Sequence, residues 1–250
     1  LFNNPLVSPD LLGVSNGAAV GAALAILLNS NLWVVQGFAL IGGILAVSIT
    51  VLIPRLVGQG GTLILVLSGI IISGFMQAAL GLLKYLADPD SQLQSIVYWQ
   101  LGSIAKLDIP SLLAALPMMI IGFIILIFFR WHLTIMSLGG QTAASQGINI
   151  ERERLVIILA ATLLTAGAVC LAGTIGWIGL VVPHIARRLI GDNARFALPL
   201  AAIFGAAFLL VIDTLARTMS AGEIPLSILT GFIGTPVFIY ILAHRKDLIQ

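Results

Sequence analysis

The sequence predicts an all-α membrane protein, and its composition and its apolar runs lead to that prediction. Hydrophobic residues make up 59% of the 250-residue chain and charged residues only 9%, whereas soluble domains carry about 25% charged residues. The apolar runs are continuous, and several approach the roughly 20 residues that a helix needs to cross a bilayer. Because barrel strands are alternating segments of about ten residues, a polytopic helical bundle is favoured.

Eight apolar runs predict eight membrane spans in one domain, because no linker, periodic repeat or low-complexity tract divides the chain. "GVSNGAAVG" at the first run places Gly13, Gly17 and Gly21 four residues apart, which predicts a face that packs closely against another helix. In chain order the predicted spans are Val14–Leu28, Leu32–Ile53, Thr62–Leu86, Ser111–Phe129, Leu155–Leu171, Ile178–Leu189, Phe196–Leu215 and Ile228–Ala243.

Strict alternation of these spans separates the basic residues into two unequal groups. The smaller group consists of Lys84, Lys106 and Arg217. By the positive-inside rule, the larger group marks the cytoplasmic side, which then also holds the C-terminus. The larger group consists of Arg55, Arg130, Arg152, Arg154, Arg187, Arg188, Arg195, Arg245 and Lys246.

On the other side, the segment Ala87–Ile109 combines three aspartates with Tyr98 and Trp99. Such aromatic residues usually anchor at the level of the lipid headgroups. The pattern predicts a short helix that lies on the outer interface, and a contact with substrate is the alternative interpretation.

The sequence contains no motif for catalysis. "GQGGTLIL" has the glycines of a phosphate-binding loop but lacks its lysine, and no nucleophile elbow, zinc-protease helix or pair of carboxylates on one helix face occurs. The net charge of +2 gives no support for a nucleic-acid partner. The chain is therefore predicted not to be an enzyme and to have no cofactor.

The few reactive or ionisable residues in the spans have structural interpretations. Cys170 is predicted to be a small buried packing residue. The separated His132, His184 and His244 are predicted to lie near the interface rather than to bind a metal. Asp213 and Arg217 lie four residues apart at the outer end of a span. This spacing predicts an ion pair between them. Recognition of an outside partner by Arg217 is the equal alternative.

A compact polar segment interrupts the apolar pattern at residues 137–154, "SLGGQTAASQGINIERER". Its charge places it on the cytoplasmic side, and Gly147 can separate one short helix from the next. Ile148 and Ile150 are predicted to offer apolar contacts to a partner. An ordinary solvated loop is the alternative.

Three stretches resemble the FecCD-like permease subunits of type II ABC importers. They are "NNPLVSPDLLGVSNGAAVGA" (3–22), "GTIGWIGLVVPHIARRLIGDNARFALPLAAIFGA" (173–206) and "DTLARTMSAGEIPLSILTGFIGTPVFIYIL" (213–242). That family imports ferric siderophores, haem, vitamin B12 and molybdate. The resemblance implies a single permease domain over 1–250 with the fold of the vitamin B12 permease, which has ten membrane helices. Because eight are visible, two N-terminal helices are expected to be missing from this chain.

The resemblance also implies the partners and the location. We expect a separate ABC ATPase, a periplasmic or lipoprotein substrate-binding protein, and a second permease copy, identical or a paralogue, in the inner membrane of a bacterium. The 137–154 segment is then the cytoplasmic coupling segment that contacts the ATPase. The residues expected to make this contact are Leu138, Gly139, Thr142, Ala143, Ala144, Gly147 and Ile148.

Two single residues match further family positions, and the coupling segment departs from the family pattern at three. Arg217 matches an arginine that docks the binding protein, and Thr62 matches a position at the cytoplasmic gate. The usual pattern resembles L-G-E-x-x-A-R-x-L-G, but here Gly140 replaces the acid, Ala144 the basic residue and Gln146 the leucine. The pair Pro183–His184 in the second stretch is expected to end a short helix.

The predicted function is translocation of a metal chelate, with a ferric siderophore as the first choice and haem, cobalamin or molybdate also open. The alternatives are a secondary transporter or channel that works without an ATPase, and a membrane scaffold that transports nothing. A secondary transporter needs intramembrane carboxylates, and a channel needs a selectivity constriction. Neither is evident in the sequence.

Overall fold

The computed structural model describes residues 9–58, 61–105, 107–191, 193–220 and 222–243. In these ranges a 3-10 helix, Pro9–Leu12, precedes ten α-helices, and no strand is present, so the all-α class is confirmed. The helices are α1 (Val14–Leu27), α2 (Leu32–Leu56), α3 (Thr62–Leu86), α4 (Gln92–Leu101), α5 (Ile109–Ser137), α6 (Gly140–Ser145), α7 (Ile150–Ala172), α8 (Ile178–Ile190), α9 (Ala194–Thr218) and α10 (Leu226–Ala243).

Each of the eight predicted spans coincides with one of these helices, but their lengths differ. Helices α2, α3, α5, α7 and α9 are long and apolar enough to cross a membrane. Helices α1 and α8 have 14 and 13 residues, or about 20 Å at 1.5 Å per residue, which is shorter than a hydrocarbon core of about 30 Å. The chain is a multi-pass membrane protein in which three of the eight predicted spans, α1, α8 and α10, are shorter than those five helices.

Helix α1 is short because it begins inside the bundle. Its N-cap residue, Gly13, has φ +86°, a conformation that glycine adopts without steric cost. A side chain there would contact Ser73 of α3 and Ala46 of α2, which lie near the middle of these 25-residue helices. Before α1, the Thr50 hydroxyl donates a hydrogen bond of 3.1 Å to the carbonyl of Leu12.

Close packing of α1 against α2 confirms the predicted small-residue face at two of its three glycines. A Cβ atom at Gly17 would lie 2.4 Å from the carbonyl oxygen of Gly42, and one at Gly21 would lie 2.0 Å from that of Phe38. These distances leave no room for a side chain, so the two backbones touch. Gly13 caps α1 instead of joining this face.

The helices bring the described arginines of the larger basic group to one end, which we call the basic end. The C-terminus of α2 and the N-termini of α3 and α7 line one cavity there. Thr134 of α5 donates a 3.3 Å hydrogen bond to Asn193, just before α9. Lys84 and Arg217 lie towards the other end, so the predicted segregation of charge is confirmed for the described residues; Lys106, Arg245 and Lys246 lie outside them.

At the opposite end, α4 confirms the predicted short helix but does not lie flat on the interface. The Gln92 side chain donates to the carbonyl of Leu27 at 3.1 Å, while Gln100, at the other end of α4, shares a cavity with Asn16. Helix α4 therefore runs antiparallel to α1 into the bundle. The reason is its apolar face, on which Ile96 is buried with small residues of α1.

The predicted headgroup anchors of α4, Tyr98 and Trp99, both contact other parts of the protein. The Tyr98 hydroxyl donates to a carboxylate oxygen of Glu223 at 3.3 Å, and Trp99 packs against the core cluster of α1, α2 and α7. Both aromatic side chains are half-buried, and their position at the level of the lipid headgroups stays a prediction.

Helix α8 begins at an unusual residue and continues through its proline. Trp177, its N-cap residue, has φ +70°, and a Cβ atom at Gly234 of α10 would lie only 2.8 Å from the Cβ of Trp177. The helix then runs on to Ile190, so the expectation that Pro183–His184 ends it is wrong. Membrane helices tolerate an internal proline because neighbouring groups satisfy the backbone that it frees.

Candidate functional sites at the two ends of the bundle

The 137–154 segment forms one short helix, α6, between α5 and α7 at the basic end. After α6 the backbone N–H of Gly147 donates to the carbonyl of Ala144 at 3.0 Å, and that of Ile148 donates to Ala143 at 3.1 Å. Gly147 has φ +77°, so this is a Schellman closure with glycine in the position that needs it. The predicted role of Gly147 as a helix breaker is confirmed.

One face of the segment is buried in the protein itself. Ala143 has no exposed surface and shares a cluster with buried residues of α5 and α7. Ile148 and Ile150 pack against the same cluster. Both isoleucines are half-buried, because the ends of α5 and α7 supply an apolar surface on which the segment folds. Contact of their remaining exposed surface with a partner stays a prediction.

The other face of the segment is open. Leu138 is 69% exposed, and it is the large apolar side chain of this face. All three departures from the family pattern lie on the exposed side, where they leave the fold of the segment undisturbed. The exposed residues of this face are Leu138, Gly140, Thr142, Ala144, Ser145, Gln146 and Gly147, while Gly139 is half-buried.

Beneath the segment, α5 and α7 are joined by charged and aromatic side chains. His132 Nδ1 and Glu153 Oε2 are 2.9 Å apart, with 40% and 16% of the two side chains exposed. The pair is not aligned as a hydrogen bond, so the attraction is an ion pair when the imidazole is protonated. The Phe129 ring meets His132 edge-on at 5.4 Å.

Thr62 lies at the same end as the 137–154 segment. It is the half-buried first residue of α3, preceded by Gly61 with φ +138°. Beside it a cavity of about 280 Å³ is lined by residues of α2, α3 and α7, among them Arg55 and Arg154. The two sequence-predicted sites of this end are thus neighbours around the N-termini of α3 and α7.

Arg217 forms the predicted ion pair with Asp213 near the end of α9. Its Nε donates to one carboxylate oxygen at 2.9 Å and its Nη2 to the other at 3.1 Å. Because 46% of the Arg217 side chain is exposed, the paired guanidinium still presents a surface outward. The structure places it far from the 137–154 segment, at the opposite end.

A carboxylate that was not singled out from the sequence organises the opposite end. The Ser103 hydroxyl donates to Glu223 at 2.9 Å, and next to it the backbone N–H of Leu226 donates to the carbonyl of Gly102 at 3.0 Å. These bonds join the α4–α5 loop to the start of α10. The signal available in the sequence is "GEIP", an acid two residues before a proline in a loop that otherwise has few charges.

A polar cavity of about 640 Å³ is a second feature that the sequence interpretation missed. It lies between α1, α3, α4 and the starts of α8 and α10. The available signal is the amide side chains inside apolar runs, Asn16 and Gln77. The polar side chains that line the cavity are Ser15, Asn16, Gln77, Lys84, Gln100, Thr174 and Ser227.

The cysteine and histidines have mostly structural roles. Cys170 is buried, as predicted, and its thiol donates to the carbonyl of Gly167 at 3.2 Å. His184 is only 7% exposed and meets the Phe238 ring edge-on at 5.5 Å, so it packs inside the protein, and its depth near the interface stays a prediction. His244 lies outside the described residues. Within the described ranges, no group of three His, Cys, Asp or Glu could hold a metal ion.

The chain is a multi-pass helical bundle with a polar cavity between its helices. The model of the FecCD transport family matches residues 1–244. The chain belongs to this family.

Relatives of known name agree with this assignment. The molybdate import permease MolB of Haemophilus influenzae is 36% identical over 95% of this chain and 71% of its own length. The probable iron chelatin permease of Helicobacter pylori is 38% identical, over 98% and 74%. The hemin permease HmuU of Yersinia pestis is 36% identical, over 99% and 75%.

A solved structure shares the fold. It is described as a metal-chelate type ABC transporter in an inward-facing conformation, and it aligns with a TM-score of 0.90 and 35% identity. The alignment covers 97% of this chain and 77% of that one.

Proposed function

We propose that the chain is the permease subunit of a binding-protein-dependent ABC importer that carries a metal chelate across the bacterial inner membrane. The family match over residues 1–244 carries this proposal, because it includes the 137–154 segment as well as both ends of the bundle. The substrate that we propose first is a ferric siderophore, as the iron, haem and metal-chelate relatives favour. Haem, cobalamin and molybdate, for which other relatives are named, are the alternative substrates.

In this proposal, the 137–154 segment couples the permease to a separate ATPase, and the basic end, with the C-terminus, is cytoplasmic. The buried Ala143 supports the assignment, because it packs α6 against α5 and α7, and the Schellman closure gives α6 a defined end. A helix that is held in this way moves with the membrane helices when a partner pushes it. The contact to the ATPase is made by the exposed face, including Leu138, Thr142 and Ala144.

The other proposed partners are a second permease copy and the substrate-binding protein. Two permease copies, identical or paralogous, enclose the pathway, and Thr62 lies at its cytoplasmic gate. On the outer face, Arg217 docks the substrate-binding protein, for which its exposed guanidinium is suited. Charged contacts of this kind orient the docked partner more than they raise affinity.

The test is uptake into vesicles that contain the full-length permease with its ATPase and binding protein. We expect labelled ferric chelate to accumulate only when ATP is supplied and to stop accumulating when the ATPase carries a substitution that abolishes hydrolysis. Uptake that continues with the inactive ATPase would identify a secondary transporter or channel. Absence of any co-purifying ATPase and of any uptake would identify a scaffold.

A further inference from the structure

The 640 Å³ cavity reaches from the middle of the bundle towards the end opposite the 137–154 segment. Asn16 lies in the first turn of α1, which begins at mid-depth, and Gln77 lies midway along α3. Lys84 and Gln100 lie in the last turns of α3 and α4. The cavity is therefore an elongated space with polar groups along its length, and it is open to the surface of the chain at the exposed Gln77.

The described lining of the cavity carries positive charge and no negative charge. Among the described residues that line the cavity, Lys84 alone is charged. Its ammonium donates to the amide oxygen of Gln100 at 2.6 Å, and no carboxylate lies within ion-pair distance of it in the part of the chain that the structure describes. Arg217, at the same end, is neutralised by Asp213. The positive charge of Lys84 is therefore available to a ligand.

Helix N-termini beside the cavity add partial positive charge to that of Lys84. The first turns of α1 and α10 contribute Ser15, Asn16 and Ser227 to the lining, and the segment immediately before α8 contributes Thr174. Helix N-termini carry partial positive charge from N–H groups without intrahelical partners, and broken membrane helices use such ends to hold anionic groups of substrates. Here they accompany the full positive charge of Lys84 in the same cavity.

We propose that this cavity binds the anionic oxygen groups of the transported solute, with Lys84 as the residue that selects for negative charge. The ligand class is a metal complex or oxyanion with exposed carboxylate or oxo groups. Gln100 positions the ammonium, and the amides of Asn16 and Gln77 supply neutral hydrogen bonds. The inference rests on the proposed transport function and narrows the substrate to its anionic members.

The decisive measurement is equilibrium binding to the full-length permease in lipid nanodiscs, without ATPase or binding protein. The probes are ferric citrate and molybdate as anions and cyanocobalamin as a neutral molecule, each measured by flow dialysis. We expect Lys84→Gln to weaken binding of the anions about tenfold, as for loss of one charge-assisted hydrogen bond, and to leave the neutral probe unchanged. Lys84→Arg is the matched control, because it keeps the positive charge and should keep anion binding. Gln77→Glu adds a negative charge and is expected to weaken anion binding as Lys84→Gln does.

The contrary results are specific. Anion binding that is absent in the wild type, or equal in wild type and Lys84→Gln at low salt, would overturn the proposal. An equal loss for the neutral probe together with a lower melting temperature would also overturn it, because Lys84 would then be only a structural tether for α4. The vesicle uptake test is independent: ATP-independent uptake would refute the proposed importer while the dialysis result for Lys84 stands.

Discussion

At the scale of single residues, neighbouring positions of α6 have opposite environments. Ala143 is fully buried in its own chain, whereas Ala144 is exposed. Both side chains are one methyl group, so the same substitution at the two positions separates folding of the segment from contact with a partner.

Ala143→Asp is expected to unfold the 137–154 segment locally. It would bury a carboxylate without a partner beside Ile135 and Met136, at a cost on the order of several kcal/mol. Limited proteolysis of the full-length permease should then cut this segment faster than in the wild type. Wild-type resistance to cleavage would show that the segment is not packed as described.

Ala144→Asp is the matched variant, because it places the same charge on the exposed face. We expect wild-type resistance to proteolysis, but reduced ATP-driven uptake and reduced stimulation of the ATPase, since the charge would enter the proposed interface. Normal uptake and normal ATPase stimulation by Ala144→Asp would contradict the coupling assignment.

Residue roles were predictable from the sequence only where local chemistry decides them. Gly147 was predictable because a left-handed residue at the end of a helix favours glycine, and the Asp213–Arg217 pair because their spacing places them on one helix face. The burial of His184 and the partial burial of Ile148 were not predictable, because they depend on which neighbouring helix covers each side chain. The polar cavity escaped notice for the same reason, since its lining comes from several distant segments.

At the scale of elements, the α1–α2 contact depends on three glycines, Gly17 and Gly21 of α1 and Gly42 of α2. We expect Gly21→Ala to destabilise the protein by about 1–3 kcal/mol, the usual cost of overpacking, because the added methyl would lie 2.0 Å from the Phe38 carbonyl oxygen. Thermal unfolding of the full-length protein in detergent should show the loss as a lower melting temperature.

Gly37→Ala, on α2, is the control for that prediction. A Cβ atom there meets nothing within 4 Å, and alanine is the better helix former by about 1 kcal/mol. The melting temperature of this variant should be unchanged or higher. Equal melting temperatures for the two variants would mean that α1 and α2 are not in backbone contact.

Apolar runs were enough to predict where the helices lie in the chain, but not how deep each one lies. Helix α4 was predictable as a short helix, yet its entry into the bundle follows from the small residues of α1 that receive Ile96. Similarly, the mid-depth start of α1 depends on contacts with α2 and α3 that no local pattern contains.

At the scale of the whole molecule, charge distinguishes the two ends, and Arg217 tests the proposed outer end. Arg217→Glu should weaken docking of the substrate-binding protein, more at low salt than at high salt, because salt screens exposed charges. Binding of the purified binding protein to permease in nanodiscs measures this. Asp213→Asn is the control: it breaks the ion pair but keeps the arginine, so docking should be retained. Equal docking of Arg217→Glu and wild type at both salt concentrations would contradict the assignment.

The indole of Trp177 has a mechanical consequence for α8 and α10. The residue holds a left-handed backbone conformation that is rare for a bulky side chain, and its Cβ is seated against Gly234, with the ring over Gly231. If α8 slid along α10, the backbone at Trp177 would have to change its conformation, and the indole ring would have to leave its contact with Gly231. We therefore expect α8 and α10 to travel as one rigid unit during any change of access, with rearrangement confined to the helices around them.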